Sequence, residues 1–157
     1  MTATLSKALG SQGGVALGSR EVVDHLVNTA RAFIFDTGLA PVSVGAALSA
    51  LQVLRDEPEL ADRVRERAGE IADHARSVGL TVTTPAAAVC SVLIGSPDDA
   101  LAAREICRDA GVLVGCFRPP SVPDGVSRLR LTACADLTDA DVQQTTNALR
   151  AVAQALP

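Results

Sequence analysis

The chain has 157 residues, of which 48% are hydrophobic and 20% are charged, and its formal net charge is −4. This composition allows an aliphatic core, whereas the acidic balance and an aromatic content of 2% exclude a basic nucleic-acid footprint and a base-stacking platform. Since the sequence shows no apolar run of about 18 residues and no apolar leader segment, we expect neither a membrane span nor a signal peptide and predict a cytoplasmic protein.

The first 50 residues predict one strand and two helices. A short apolar run at 15–17 predicts a buried strand. Helices are predicted over 20–31 and 42–56, with an irregular stretch over 33–41 between them. Because the strand has no evident partner, we expect these residues to be the incomplete end of a larger domain and the chain to be a fragment.

The remaining residues, 51–157, predict a small domain. Apolar residues recur at steps of three and four from Leu60 to Val78, which predicts a helix that Gly79 ends as its C′ residue. Thr138, followed three residues later by Asp141, predicts a capping box for the last helix. Strands and helices are predicted in the order strand 80–83, strand 89–95, helix 98–110, strand 112–117, strand 127–133 and helix 138–156. This order favours an α+β domain with helices layered on a small sheet.

Lys7 is the only lysine among the 14 basic residues. An amine can deprotonate and form a Schiff base, which a guanidinium cannot do. Thr4 and Ser6 place hydroxyls beside it, and the glycines that follow allow the backbone to approach a phosphate closely. The spacing alone also fits an ordinary surface lysine.

Arginines alternate with leucines on the strand predicted over 127–133. The alternation puts Leu129 and Leu131 on one face and Arg128 and Arg130 on the other, so the strand offers two guanidiniums to a cleft. A guanidinium can hold a carboxylate through two parallel hydrogen bonds. The alternative is a solvated strand face.

Four cysteines and two histidines do not have the spacing of a metal site. No pair of cysteines has C-x-x-C spacing, and His25 and His74 are far apart, so we expect no metal and place both histidines on helix surfaces. We predict four buried free thiols, at Cys90, Cys107, Cys116 and Cys134.

Three segments stand in a suggestive order: T-L-S-K-A-L-G over 4–10 with Gly13-Gly14 after it, F-D-T-G-L-A-P over 35–41, and R-P-P-S-V-P with S-R-L-R-L-T within 118–132. Together they resemble the α-oxoamine synthases, a branch of the fold-type I superfamily of enzymes that use pyridoxal 5'-phosphate (PLP). The resemblance implies an α/β fold in which 1–50 ends the large PLP-binding domain and 51–157 is the C-terminal small α+β domain. It also implies an acyltransferase that works as a homodimer.

The resemblance implies a role for each candidate site residue. Lys7 binds PLP covalently and removes the α-proton of the amino acid. Thr4 contacts the cofactor, and Thr37 reaches the cofactor phosphate of the neighbouring subunit. Arg130 anchors the carboxylate of the amino acid, and Ser121, where the family more often has Thr, can contact substrate.

The R-P-P-x-V-P form of the loop favours the branch that condenses L-alanine with a pimeloyl thioester, carried by CoA or a carrier protein, in biotin biosynthesis. The 5-aminolevulinate synthase and glycine C-acetyltransferase types stay open as alternatives, as does a non-catalytic α+β interaction module. The family's phosphate-cradling segment, ring-stacking His and ring-nitrogen Asp have no counterpart in this chain. We therefore expect the chain alone to have little or no activity.

Overall fold

The chain forms two compact units, Met1–Pro58 (unit 1) and Glu59–Pro157 (unit 2), in a computed structural model that describes residues 1–156. The domain boundary predicted after residue 50 falls inside the last helix of unit 1. The assignment of the two parts to a large and a small domain stays a prediction.

Unit 1 contains a two-stranded hairpin followed by three helices. The antiparallel strands are β1 (Thr2–Thr4) and β2 (Gly14–Ala16), and the helices are α1 (Arg20–Thr29), α2 (Arg31–Ile34) and α3 (Pro41–Asp56). The two predicted helices are present as α1 and α3. The short helix α2 enters the stretch that was predicted to be irregular.

The prediction of a buried strand at 15–17 is wrong in its burial and its pairing. The strand lies one residue earlier, all three of its residues are exposed, and β1 pairs with it in the register Thr2↔Ala16 to Thr4↔Gly14. An apolar run indicates that a segment tends to be buried. Whether it is buried depends on another part of the protein packing over it. The partner β1 was not foreseen because Thr2-Ala3-Thr4 is short and mostly polar.

Unit 1 encloses almost no core of its own. Within its residues Ala47 alone is buried, whereas every exposed large hydrophobic side chain of the described chain except Val89 and Leu113 belongs to this unit. An apolar groove beside the hairpin is lined by Val15, Val23, Leu26, Val27 and Phe33. Contiguous apolar surface of this kind marks a site that another segment or protein covers.

Unit 2 layers three helices on one face of a four-stranded antiparallel sheet. Its elements are α4 (Leu60–Ser77), β3 (Thr81–Val82), β4 (Val89–Gly95), α5 (Pro97–Asp109), β5 (Gly115–Phe117), β6 (Ser127–Thr132) and α6 (Asp139–Ala155). The strand order is β3-β4-β6-β5. This architecture confirms the predicted α+β layer.

The core of unit 2 lies between the helices and the inner face of the sheet. On β4 and β6 alternate residues face the helices, and Cys90, Val92, Leu129 and Leu131 are buried in one cluster with apolar residues of α4, α5 and α6. The intervening residues, including Arg130, point to the outer face, as the predicted alternation requires.

Local signals set the helix ends in unit 2. After α4, Gly79 adopts φ 94°, its N–H donates to Arg76, and the Leu80 N–H donates to Ala75, which is a Schellman motif at the predicted glycine. Thr138 and Asp141 form the predicted capping box of α6. None of the helices in residues 1–156 combines the length and apolar character needed to cross a membrane.

The four cysteines are free, but they are not all buried. Cys90 and Cys107 lie in the core, whereas Cys116 is half-buried and Cys134 is exposed just after β6. The prediction of four buried thiols is therefore wrong for the last two, because Cys116 lies on β5 at the edge of the sheet and Cys134 lies beyond the end of β6. Burial raises the pKa of Cys107 to about 11.

Candidate functional site

Lys7 lies at the tip of the β1–β2 hairpin. Hydrogen bonds of 2.9 Å from Leu5 N–H to Gly13 O, from Ser11 N–H to Leu5 O and from Gly10 N–H to Lys7 O close the tip. Gly10 adopts φ 56°, a left-handed conformation that glycine accepts without steric cost. The turn leaves the Lys7 side chain exposed.

Two hydroxyls accompany the amine of Lys7. Lys7 Nζ donates to Ser6 Oγ at 3.4 Å, and Ser6 Oγ lies 2.8 Å from Thr4 Oγ1. Thr4 Oγ1 also accepts from the Ser6 backbone N–H at 3.3 Å. Among residues 1–156 Lys7 forms no ion pair, so its amine contacts a neutral hydroxyl rather than a carboxylate.

The segment that carries Thr37 ends beside the same hairpin. Leu39 packs so closely against Gly13 that a Cβ there would lie 2.5 Å from Leu39 Cδ2, and Ser11 Oγ donates to Ser43 O at 2.6 Å. Thr37 itself is exposed, and its N–H donates to Asp36 Oδ1 at 2.8 Å. Within the described residues no hydrogen bond joins Thr37 to Thr4 or Lys7.

Arg128 and Arg130 share the outer face of β6, yet only one of them is available. Arg128 is half-buried and ion-pairs with Asp124, and its Nε donates to Val126 O at 3.1 Å. The expectation of two guanidiniums offered to a cleft is therefore wrong for Arg128, because it holds the preceding loop. The same ion pair lowers the pKa of the Asp124 carboxyl.

Arg130 keeps its hydrogen-bonding edge free. It is exposed, and its Cζ lies 4.5 Å from the centroid of the Phe117 ring. In residues 1–156 it has no carboxylate partner. A guanidinium held in this way can accept the carboxylate of a ligand.

Ser121 lies in the loop between β5 and β6 that Asp124 and Arg128 secure. Its N–H donates to Arg118 O at 2.8 Å, and the next residue, Val122, is buried with 7% exposure. The Ser121 side chain is exposed. The buried valine and the ion pair between Asp124 and Arg128 fix the chain that follows this hydroxyl.

The predicted site residues fall in both units: Thr4, Lys7 and Thr37 in unit 1, and Ser121 and Arg130 in unit 2. The structure brings Thr4, Ser6 and Lys7 together in one hydrogen-bonded group. Sequence reasoning missed Phe117 and Asp124. The only signals for them were the glycine two residues before the ring and the four-residue spacing from Asp124 to Arg128.

Comparison with known proteins shows which family the chain is similar to. The family model for class I and II aminotransferases matches residues 1–149. An 8-amino-7-oxononanoate synthase of Mycolicibacterium vanbaalenii is 59% identical over 139 residues, covering 88% of this chain and 36% of the relative, and one of Mycobacterium avium is 57% identical over 143 residues, covering 91% and 36%. The chain thus spans about 36% of the length of the curated relatives that it matches.

A solved structure of serine palmitoyltransferase (SPT) with a PLP internal aldimine has the same fold as this chain. It superposes with a TM-score of 0.91 at 25% identity and covers 98% of this chain and 39% of its own. The fold class implied by the sequence resemblance is confirmed.

Proposed function

We propose that this chain, which belongs to the class I and II aminotransferase family, provides the catalytic lysine of a PLP-dependent 8-amino-7-oxononanoate synthase. The reaction condenses L-alanine with a pimeloyl thioester and releases CO2 and the thiol, and its product is a precursor of biotin. One observation carries the proposal: the sole lysine lies beside two hydroxyls at a hairpin tip, in a chain 59% identical to such a synthase.

The residues at the hairpin tip fit a cofactor that has both an aldehyde and a phosphate. Lys7 would hold PLP through its amine, and Thr4 would donate a hydrogen bond to the cofactor. When bound, PLP supplies an electron sink for the negative charge that develops at the amino-acid α-carbon. The neutral amine of Lys7 would accept the proton from that carbon.

Thr37 has a role across subunits in this proposal. Its exposed hydroxyl would donate to the cofactor phosphate of a second copy in a homodimer. The Leu39 contact with Gly13 supports this role, because it fixes the end of the Thr37 loop within unit 1.

Arg130 and Ser121 would serve the substrates. Within residues 1–156 Arg130 has no carboxylate partner, and it can take the α-carboxylate of L-alanine through two N–H donors. Ser121 offers an exposed hydroxyl on a secured loop for a second polar contact. The acyl donor would be pimeloyl-CoA or a pimeloyl carrier protein.

Covalent trapping tests the assignment of Lys7. The purified chain is incubated with PLP, reduced with borohydride and digested, and mass spectrometry locates the modified residue. We expect a single adduct at Lys7 and none in Lys7→Arg, which keeps the positive charge without a reactive amine. An adduct at the amino terminus alone would contradict the assignment.

Turnover tests the activity. Because the chain spans only part of its relatives, we expect negligible turnover from it alone. A chimera places this chain in the matching region of the Mycolicibacterium vanbaalenii relative and is assayed with pimeloyl-CoA and either L-alanine or glycine. We expect 8-amino-7-oxononanoate from L-alanine and its loss in Lys7→Arg; unchanged condensation in that variant would refute the proposal.

A further inference from the structure

The guanidinium of Arg130 does not extend freely from the sheet. On the outer face Arg130 stands directly opposite Gly115 of β5, and Phe117 is the diagonal neighbour on the same strand. The Phe117 ring is half-buried and lies with its centroid 4.5 Å from Arg130 Cζ. This distance is within the range of a cation–π contact.

Gly115 creates the space for this contact. A Cβ at Gly115 would lie 2.9 Å from Cε2 of the Phe117 ring and 3.5 Å from the Arg130 Cβ. The ring therefore folds back over its own strand into the place that a side chain would occupy. Gly115, opposite the arginine, leaves room for the ring, and Phe117, two positions later, supplies the ring that contacts the guanidinium.

The contact is placed differently from the other cation–π pair in the described chain. Arg31 lies 5.3 Å from the Phe35 centroid on an exposed part of unit 1, and Phe35 is 75% exposed. Phe117 is held in the sheet and its ring is supported by backbone. It can therefore restrict the guanidinium, whereas Phe35 is exposed and lies outside any strand.

We infer that Phe117 is a positioning residue: its ring supports one side of the Arg130 guanidinium and leaves the N–H edge directed at the α-carboxylate of the amino-acid substrate. This inference rests on the proposed function, in which Arg130 receives that carboxylate. A long side chain loses much rotational freedom when it binds, and a preformed orientation reduces that loss. The carboxylate then meets two aligned donors.

Side-chain NMR of the purified chain tests whether the Phe117 ring holds the Arg130 guanidinium. The ring current should displace the Arg130 Nε–H resonance, which is assigned by its disappearance in Arg130→Lys. We expect the displacement to vanish in Phe117→Leu, to persist in Phe117→Tyr and to be unaffected by Phe35→Leu, the matched control. An Arg130 resonance that is the same in Phe117→Leu as in the unsubstituted chain would overturn the inference.

Steady-state kinetics of the chimera test whether the Phe117 contact helps Arg130 to bind L-alanine. In Phe117→Leu we expect the KM for L-alanine to rise about twofold to fivefold, the ratio that corresponds to an exposed cation–π contact. Gly115→Ala should act in the same direction, Phe117→Tyr should restore the original KM, and the KM for pimeloyl-CoA should not change. An unchanged L-alanine KM in an active Phe117→Leu chimera would overturn the inference and leave the proposed function intact.

Failure of the unsubstituted chimera to trap PLP at Lys7 would instead count against the proposed function, while the NMR result still decides whether Phe117 positions Arg130.

Discussion

Leu129 is the residue whose truncation should cost unit 2 the most stability. It is fully buried on the central strand β6, between Val92 of β4 and Cys116 of β5. Deleting a buried leucine side chain to alanine costs about 2–5 kcal/mol, and we expect the upper half of this range because the flanking strands restrict collapse of the cavity. A domain of this size is stable by only about 5–15 kcal/mol.

Leu113 provides a matched control for this change. It is also in unit 2, but it is 89% exposed, so its replacement by alanine should alter the free energy of unfolding by no more than about 0.5 kcal/mol. Both variants remove the same atoms from the chain. The difference between them therefore isolates the effect of burial.

Urea unfolding followed by far-UV circular dichroism measures both variants, since the chain has no Trp or Tyr for fluorescence. With a slope of about 2 kcal/mol/M, Leu129→Ala should lower the midpoint by about 1.8–2.5 M, and Leu113→Ala should leave it nearly unchanged. Equal midpoints for the two variants would refute the assignment of Leu129 to the core. A large loss in Leu113→Ala would refute the exposure of that loop.

Three further predictions concern backbone, thiols and pH. Gly79→Ala should destabilise unit 2 by about 1 kcal/mol because φ is 94° there, whereas Gly69→Ala, in open space on α4, should stabilise it by about 0.5–1 kcal/mol; thermal unfolding distinguishes the two signs. Iodoacetamide should alkylate exposed Cys134 in the native chain while Cys107, buried and with a raised pKa, reacts only after unfolding; equal rates by mass spectrometry would contradict the burial. The pKa of Asp124 is lowered in the folded chain, so its contribution to stability should be present above the ordinary carboxyl pKa of about 3.9 and be lost as the pH falls through the folded value; unfolding measured across this acid range should show a smaller loss in Asp124→Asn.

Unit 2 could be predicted from its sequence because its local signals agree with its packing. The apolar repeat from Leu60 to Val78 has one period, Gly79 ends the helix through its left-handed φ, and Thr138 has its capping partner three residues later. Each signal acts within one or two turns of the chain. No distant segment is needed to interpret it.

Unit 1 was harder to predict because its apolar residues have no covering layer among the described residues. The run at 15–17 has the composition of a buried strand, yet β2 is exposed, and its partner β1 is too short to show a pattern. Whether a strand is buried depends on the segment that packs against it. An apolar run contains no information about that segment.

In the candidate site too, some features could be predicted from the sequence and others could not. Lys7 was predicted as a site residue from its uniqueness and the resemblance of its neighbours, which stays a prediction, and the alternation along β6 correctly placed Arg130 on the outer face. The capture of Arg128 by Asp124 and the support of Arg130 by Phe117 depend on how a loop folds back and on an antiparallel register. Neither can be obtained from one strand considered alone.

The strand order β3-β4-β6-β5 leaves two short strands at the margins of the sheet. β5 has three residues and is followed after Arg118 by two prolines, and β3 has two residues and is followed three positions later by Pro85. A proline has no N–H to offer an incoming strand, and a short margin offers few groups to pair with. The sheet is therefore protected against growing by edge-to-edge addition, which should keep unit 2 from seeding amyloid-like assemblies.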